Sequence, residues 1–120
     1  SYGNSRFDFY IEHEGKKILL EVKGVTLEQD GIAMFPDAPT ERGLKHINEL
    51  TRCLGEGFET YLLFVVQMED VRCFSPNDIT HPAFGQALRQ AADSGVKLLA
   101  YDCKVTPGSM EIRNGVEIRL

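Results

Sequence analysis

Residues 18–24 read ILLEVKG. Ile18, Leu19, Leu20 and Val22 mark a strand made to be covered, because aliphatic side chains suit a buried pleated surface. Glu21 and Lys23 interrupt the run. Being two apart, they project from the same face. A charged pair on one face of an apolar strand is either an ion pair that the fold tolerates or a site, and the fold and function both turn on which.

The preceding stretch supplies the partner strand. RFDFYIE, residues 6–12, alternates: Phe7, Phe9 and Ile11 fall on one face, Asp8, Tyr10 and Glu12 on the other, as in a half-buried strand. Glu14-Gly15 offers a two-residue turn, with Gly15 free to take positive φ. That turn sets Phe9 opposite Leu20 and Ile11 opposite Ile18, so apolar meets apolar. It also sets Asp8 opposite Glu21, on the face that carries Lys23. Facing carboxylates with Cβ atoms about 5 Å apart repel. A proton, Lys23 or a divalent cation would offset the repulsion.

Two carboxylates and a backbone carbonyl, here that of Val22, are hard-oxygen donors of the kind Mg²⁺ accepts. A lysine beside them can neutralise charge that builds on a phosphate. Asp8, Glu21 and Lys23 therefore read as a site for metal-assisted phosphodiester hydrolysis with Mg²⁺ or Mn²⁺ as cofactor. The other reading is a cross-strand ion cluster on a solvated face, and the pattern leaves both open. Glu14-Gly15-Lys16 and Asp102-Cys103-Lys104 repeat the acid-x-Lys spacing. The first lies in a turn, and no hairpin partner brings the second another acid. Pro36-Asp37 has no acid-x-Lys close behind it.

The bulk numbers bound the rest. A chain of 120 residues suffices for one domain with a core. With 42% hydrophobic and 26% charged residues it has an ordinary globular balance. No apolar run approaches the roughly 20 residues of a membrane span. Cys53, Cys73 and Cys103 are odd in number and match no disulfide framework or zinc spacing, so reduced thiols in a cytoplasmic protein are expected. A net charge of −5 argues against holding nucleic acid by bulk positive charge. Any such role needs a local basic patch or a metal.

Further along, VTLEQDGIAMF suggests a hairpin around Asp30-Gly31. Thr40 is a candidate N-cap, with Glu41 well placed for the helix dipole. Leu44, Ile47, Leu50 or Thr51, and Leu54 form a stripe that Gly55 or Gly57 ends. TYLLFVVQ, residues 60–67, suits a central strand covered on both faces. Residues 68–80, MEDVRCFSPNDIT, read as loop. Pro82 opens a second helix with the stripe Phe84, Ala87, Leu88, Ala91 and Ala92, closed by Gly95. VKLLAYDCKV is a strand, and the tail suggests a weak hairpin around Asn114-Gly115. The order implies one α/β domain with a mixed sheet, an antiparallel meander first and crossover helices later.

Other residues offer supporting roles. Arg42, Lys45, His46 and Glu49 share the polar side of the first helix, suited to phosphate contact or simply solvated. Gln67 ends the most apolar strand, where open α/β sheets place site residues. FSPND, residues 74–78, would position a substrate or cap the second helix. Tyr10 would stack on a base or pack.

Several strings together (SRFDFYIE, EVKGVTL, DGIAMFPDAPTERGLKHINEL, FVVQ, FSPNDITHPAFGQAL and GVKLLAYDCKVTP) resemble the sugar fermentation stimulation protein A family, from about Ser5 to Pro107. That family is similar to restriction-endonuclease-like PD-(D/E)xK nucleases in this half. The resemblance implies an α/β, restriction-endonuclease-like mixed β-sheet flanked by helices. It implies that Asp8, Glu21 and Lys23 match the motif's acid, acid and lysine, and that Arg42, Lys45 and His46 stand where such nucleases add substrate contacts. It implies an OB-like N-terminal domain of the family outside this chain. The expected function is a metal-dependent nuclease domain acting on DNA or RNA, with no membrane partner and a homodimer allowed. The alternatives are a non-catalytic nucleic-acid-binding regulator of sugar metabolism genes and a plain interaction domain.

Overall fold

The computed structural model describes residues 8–120. In chain order the elements are β1 (Phe9–His13), β2 (Lys16–Val25), β3 (Leu27–Gln29), β4 (Ile32–Phe35), α1 (Glu41–Leu54), β5 (Phe58–Val66), β6 (Cys73–Pro76), α2 (Pro82–Ser94), β7 (Lys97–Thr106) and β8 (Ser109–Gly115). Phe7, expected beside Phe9, lies outside the described residues.

The first hairpin forms in the register its apolar residues demand, with Phe9 opposite Leu20 and Ile11 opposite Ile18. Glu14 at φ 52° and Gly15 at φ 79° make the turn, both left-handed as the twist of a two-residue hairpin requires. Asp30 and Gly31, at φ 54° and 82°, do the same between β3 and β4.

β2 is the pivot of the main sheet. It runs antiparallel to β1 and parallel to β5, with Glu21 opposite Leu62 and Lys23 opposite Phe64. β5 in turn runs parallel to β7, and β8 closes the order β1-β2-β5-β7-β8. The expected meander is not one sheet. Past Val25 the chain leaves the main sheet, and β3 and β4 join β6 in a second, three-stranded sheet.

β6 lies inside the stretch expected to be loop. Its Ser-Pro-Asn composition reads as turn, yet Phe74 is fully buried and stacks on Phe64 with centroids 4.2 Å apart. Burial of that ring fixes four residues as a strand parallel to β4. A proline at the strand's last position costs no internal ladder bond.

α1 begins as expected: Thr40 Oγ1 accepts the Gly43 N–H at 2.9 Å. Its buried side is Gly43, His46, Ile47, Leu50 and Cys53, rotated from the expected stripe; Leu44 and Leu54 are only partly buried. α2 runs from Pro82 to the left-handed Gly95 (φ 118°) and buries Phe84, Leu88 and Ala91. Both helices share one core with the same sheet face, where Leu19, Leu62, Phe64, Val66 and Ala100 are buried. Among the described residues, no helix covers the other face. β5 therefore alternates buried and half-buried residues and is not covered on both sides as expected.

The tail also differs. β8 pairs with β7 through a turn at Pro107-Gly108, where Gly108 has φ 82°, and not through Asn114-Gly115. The Asn114 N–H is held by Asp102 Oδ1 at 2.9 Å, which keeps that segment on β7.

Candidate functional site

β2 turns Glu21 and Lys23 inward, under α1. Glu21 is 3% exposed, and the Lys23 side chain is 15% exposed. The solvated-face reading of the pair is thus overturned by its surroundings. α1 brings His46, itself buried, down onto them. Glu21 Oε1 lies 3.3 Å from Lys23 Nζ and 3.1 Å from His46 Nδ1, and the two nitrogens are 3.2 Å apart. A carboxylate taken out of water costs several kcal/mol unless it is paired, and Oε1 takes both partners. Glu21 Oε2 is buried with no hydrogen-bond partner among the described residues.

Asp8 shows how the facing acids avoid each other. It is exposed, and its Oδ2 accepts the Val22 N–H at 2.8 Å. Asp8 stands just ahead of the ladder, whose first pair is Phe9 and Leu20. One carboxylate then turns to the backbone and the other inward to Lys23 and His46. Val22 lies between them, its N–H held by Asp8. Among the described residues, no three of His, Cys, Asp and Glu form a ready cage for a metal ion.

Burial lowers the pKa of His46, and the Lys23 and Arg42 charges act in the same direction. Glu21 and Asp8 oppose them. The ring is therefore held uncharged at neutral pH. Its Nδ1 is then either a donor to Glu21 or an acceptor from Lys23. Those interactions also put Arg42 and Asp8 within electrostatic reach of the ring.

The remaining candidates separate. Arg42 and Lys45 are exposed on the outer side of α1. His46 does not join them: it belongs to the buried stripe Gly43-His46-Ile47-Leu50-Cys53. Counting Gly43 and Cys53 as apolar would have turned it inward from the sequence. Gln67 follows β5 directly, is exposed, and donates its N–H to Val25 O at 2.9 Å. Its side chain lies so close over Gly24 that a Cβ there would sit 2.7 Å from Nε2. The bare Gly24 thus lets the Gln67 amide lie across β2 on the face that carries Val22, opposite to the one that carries Glu21 and Lys23.

The FSPND segment acts as a clamp. Asn77 Nδ2 donates to Pro36 O at 2.9 Å, and Asn77 Oδ1 accepts the Thr80 N–H at 3.3 Å. His81 Nδ1 accepts the Thr40 N–H at 3.2 Å, tying the starts of α1 and α2 together. Tyr10 packs edge-on against Phe58, with centroids 6.2 Å apart.

One cluster escaped the sequence. Asp102, 4% exposed, takes a two-pronged bond from Arg113 at 2.7 and 3.3 Å. Arg113 also reaches Glu69 and Asp70, so it pins the segment after Gln67 to β7. The Arg113 hydrogen bond holds the Asp102 carboxyl below its usual value. The spacing of these residues gives no sign that they meet.

Residues 1–109 match the family described as "Sugar fermentation stimulation protein RE domain". A sugar fermentation stimulation protein homolog of Desulfitobacterium hafniense is 54% identical over 120 residues, covering 100% of this chain and 53% of that protein. One of Ruminiclostridium cellulolyticum is 56% identical over 119 residues, covering 99% and 53%. The solved structure of Pyrococcus furiosus SfsA in complex with Ca²⁺ is similar at a TM-score of 0.91 and 28% identity, over 98% of this chain and 52% of that one. The chain spans about half the length of the curated relatives it matches.

Proposed function

Because the chain belongs to the sugar fermentation stimulation protein family, we propose that it is the nuclease half of such a protein, hydrolysing nucleic-acid phosphodiester bonds with Mg²⁺ or Mn²⁺. The observation that carries this is Glu21 Oε2, a buried carboxylate oxygen without a hydrogen-bond partner among the described residues. A carboxylate oxygen so placed is costly unless something positive joins it. The Pyrococcus furiosus relative was solved with Ca²⁺, a cation that takes oxygen donors, as Mg²⁺ does. Glu21, Asp8 and the Val22 carbonyl are such donors and would hold the cation. When bound, a cation of this kind offsets phosphate charge and acidifies a water nucleophile.

The chain's own residues supply the rest. Lys23 keeps its ammonium in a largely dry position, where it stabilises charge developing on phosphate oxygens more than it would in water. His46 and Glu21 fix that ammonium from two sides. Arg42 and Lys45 contact the nucleic-acid backbone from the outer side of α1; Gln67, expected to join them, lies on the other face of β2. The OB-like domain of the family belongs to the part of the relatives not matched here.

A second reading, a nucleic-acid-binding regulator without catalysis, draws on the lack of a ready metal cage among the described residues. Cleavage assays on single- and double-stranded DNA and RNA with Mg²⁺ or Mn²⁺ separate the two. The nuclease reading expects metal-dependent cleavage that Asp8→Ala abolishes. The regulator reading expects no cleavage and nucleic-acid binding that Asp8→Ala leaves intact.

A further inference from the structure

Lys23 keeps to one side of Glu21. Its Nζ stands 3.3 Å from Glu21 Oε1, while Oε2 of the same carboxylate is buried with no hydrogen-bond partner among the described residues. That asymmetry needs a cause. An ammonium is a compact charge with three donors on a flexible four-carbon stem, able to turn to either oxygen. A buried acceptor left unmet costs free energy, so a lysine free to move would shift to cover Oε2 as well. Lys23 is well placed to do so, two residues from Glu21 on the same face of β2 and largely out of water. It stays at Oε1.

His46 supplies the restraint. Its Nδ1 lies 3.2 Å from Lys23 Nζ and 3.1 Å from Glu21 Oε1, so the three atoms form a nearly equilateral triangle. An uncharged imidazole nitrogen accepts an ammonium N–H, and that bond draws Nζ to the Oε1 side. The ring cannot follow the lysine elsewhere. It hangs from α1, whose neighbouring Ile47 and Leu50 are fully buried in the core. The start of the helix is fixed too: Thr40 caps Gly43, and His81 accepts the Thr40 N–H. A group mounted on a packed helix holds its position more closely than one on a loop.

We propose that His46 is a positioning residue that holds Lys23 against Oε1 and so leaves Oε2 of Glu21 to a divalent cation. The inference rests on the reading of Glu21 as a cation ligand and adds how that ligand is kept from a rival charge. Lys23 is the rival, because its ammonium and a metal ion are drawn to the same carboxylate. Without His46 the lysine swings across both oxygens, and a metal ion must displace it. The role of His46 is thus exerted through Lys23 and disappears when Lys23 is absent.

The test is a double-mutant cycle read by calorimetric titration with Mn²⁺ alone. The proteins are the wild type, His46→Ala, Lys23→Met and the double variant, with far-ultraviolet spectra as a check on folding. His46→Ala is expected to weaken Mn²⁺ binding about tenfold, within the range of coupling between touching residues. Lys23→Met should bind at least as tightly as the wild type, and adding His46→Ala to it should change nothing further. His46→Asn, whose amide returns a polar atom near the place of Nδ1, should recover most of the affinity. Unchanged binding by His46→Ala overturns the proposal. So does an equal loss with and without Lys23, which a merely structural role would give. No binding by the wild type refutes the cation reading itself, and this inference with it. Should His46→Ala fail to fold, His46→Phe, which keeps a ring and loses its nitrogens, takes its place in the cycle.

Discussion

Leu62 and Leu63 are neighbours on β5 and face opposite ways. Leu62 is 1% exposed beneath α1, while Leu63 stands half-buried on the open face. The contrast extends to the whole sheet and inverts the usual polarity. The closed face holds the charged groups Glu21, Lys23 and Asp102 among its apolar residues, and the open face is apolar but wet. Apolar residues at a surface are common, whereas buried charge is rare unless it is paired. The lesson is that paired charge sits on the side the fold has dried, and apolar area is left on the side it has not covered.

The sharpest way to break this comparison is at the buried charge. Glu21→Gln keeps shape and hydrogen-bonding capacity but removes the charge. It is expected to lower metal-dependent cleavage by about a thousandfold, measured under single-turnover conditions, with little change in the far-ultraviolet spectrum. Activity near wild type would place the reaction elsewhere.

Next comes the leucine pair. Leu62→Ala opens a cavity in a packed core and is expected to cost about 3 kcal/mol. Leu63→Ala gives up only partly buried area and is expected to cost under about 1 kcal/mol in the 120-residue chain. Urea unfolding of both variants measures the gap, and equal costs would deny the difference between the faces.

Arg113→Ala tests the other buried acid. Leaving Asp102 without its partner is expected to lower the thermal midpoint at neutral pH. The sign with pH follows from the lowered Asp102 pKa. Arg113 favours the charged carboxylate, so its contribution is fully present above the usual value of 3.8 and is lost as pH falls through the lowered folded value. The gap between wild type and Arg113→Ala in thermal midpoint should therefore narrow in strong acid. A gap that widens there would contradict the assignment.

The smallest effect is expected at Gly24→Ala. The new methyl meets the flexible end of Gln67, which moves aside at a cost under about 1 kcal/mol. The displaced amide lies on the face opposite Glu21 and Lys23, so kcat and KM for a nucleic-acid substrate should both stay nearly unchanged. A raised KM would bring Gln67 into the substrate path.

The sequence revealed what local rules determine. The Glu14-Gly15 turn and the apolar pairs across it fixed the register of β1 and β2, and Asp8 just beyond the ladder reaches the Val22 N–H. Thr40 and Gly95 marked helix ends by capping chemistry. What stayed hidden depends on contacts distant in sequence. β6 forms because Phe74 stacks on Phe64 from another strand, against a local turn signal. His46 looked solvent-facing because Gly43 and Cys53 were not counted in the buried stripe. Asp102 and Arg113 meet only because β8 folds back at Pro107-Gly108. The open face was misjudged for a similar reason: an apolar strand shows that cover is needed, not where the cover comes from.

The central claim is that Glu21 is buried in order to hold a divalent cation. Calorimetric titration of the protein with Mg²⁺ and Mn²⁺, beside Glu21→Gln, tests it most directly. Binding in the micromolar to millimolar range by the wild type, lost in the variant, is the predicted result. Equal binding by both proteins, or binding by neither, would contradict it and leave Glu21, Lys23 and His46 as a buried ion cluster without a metal.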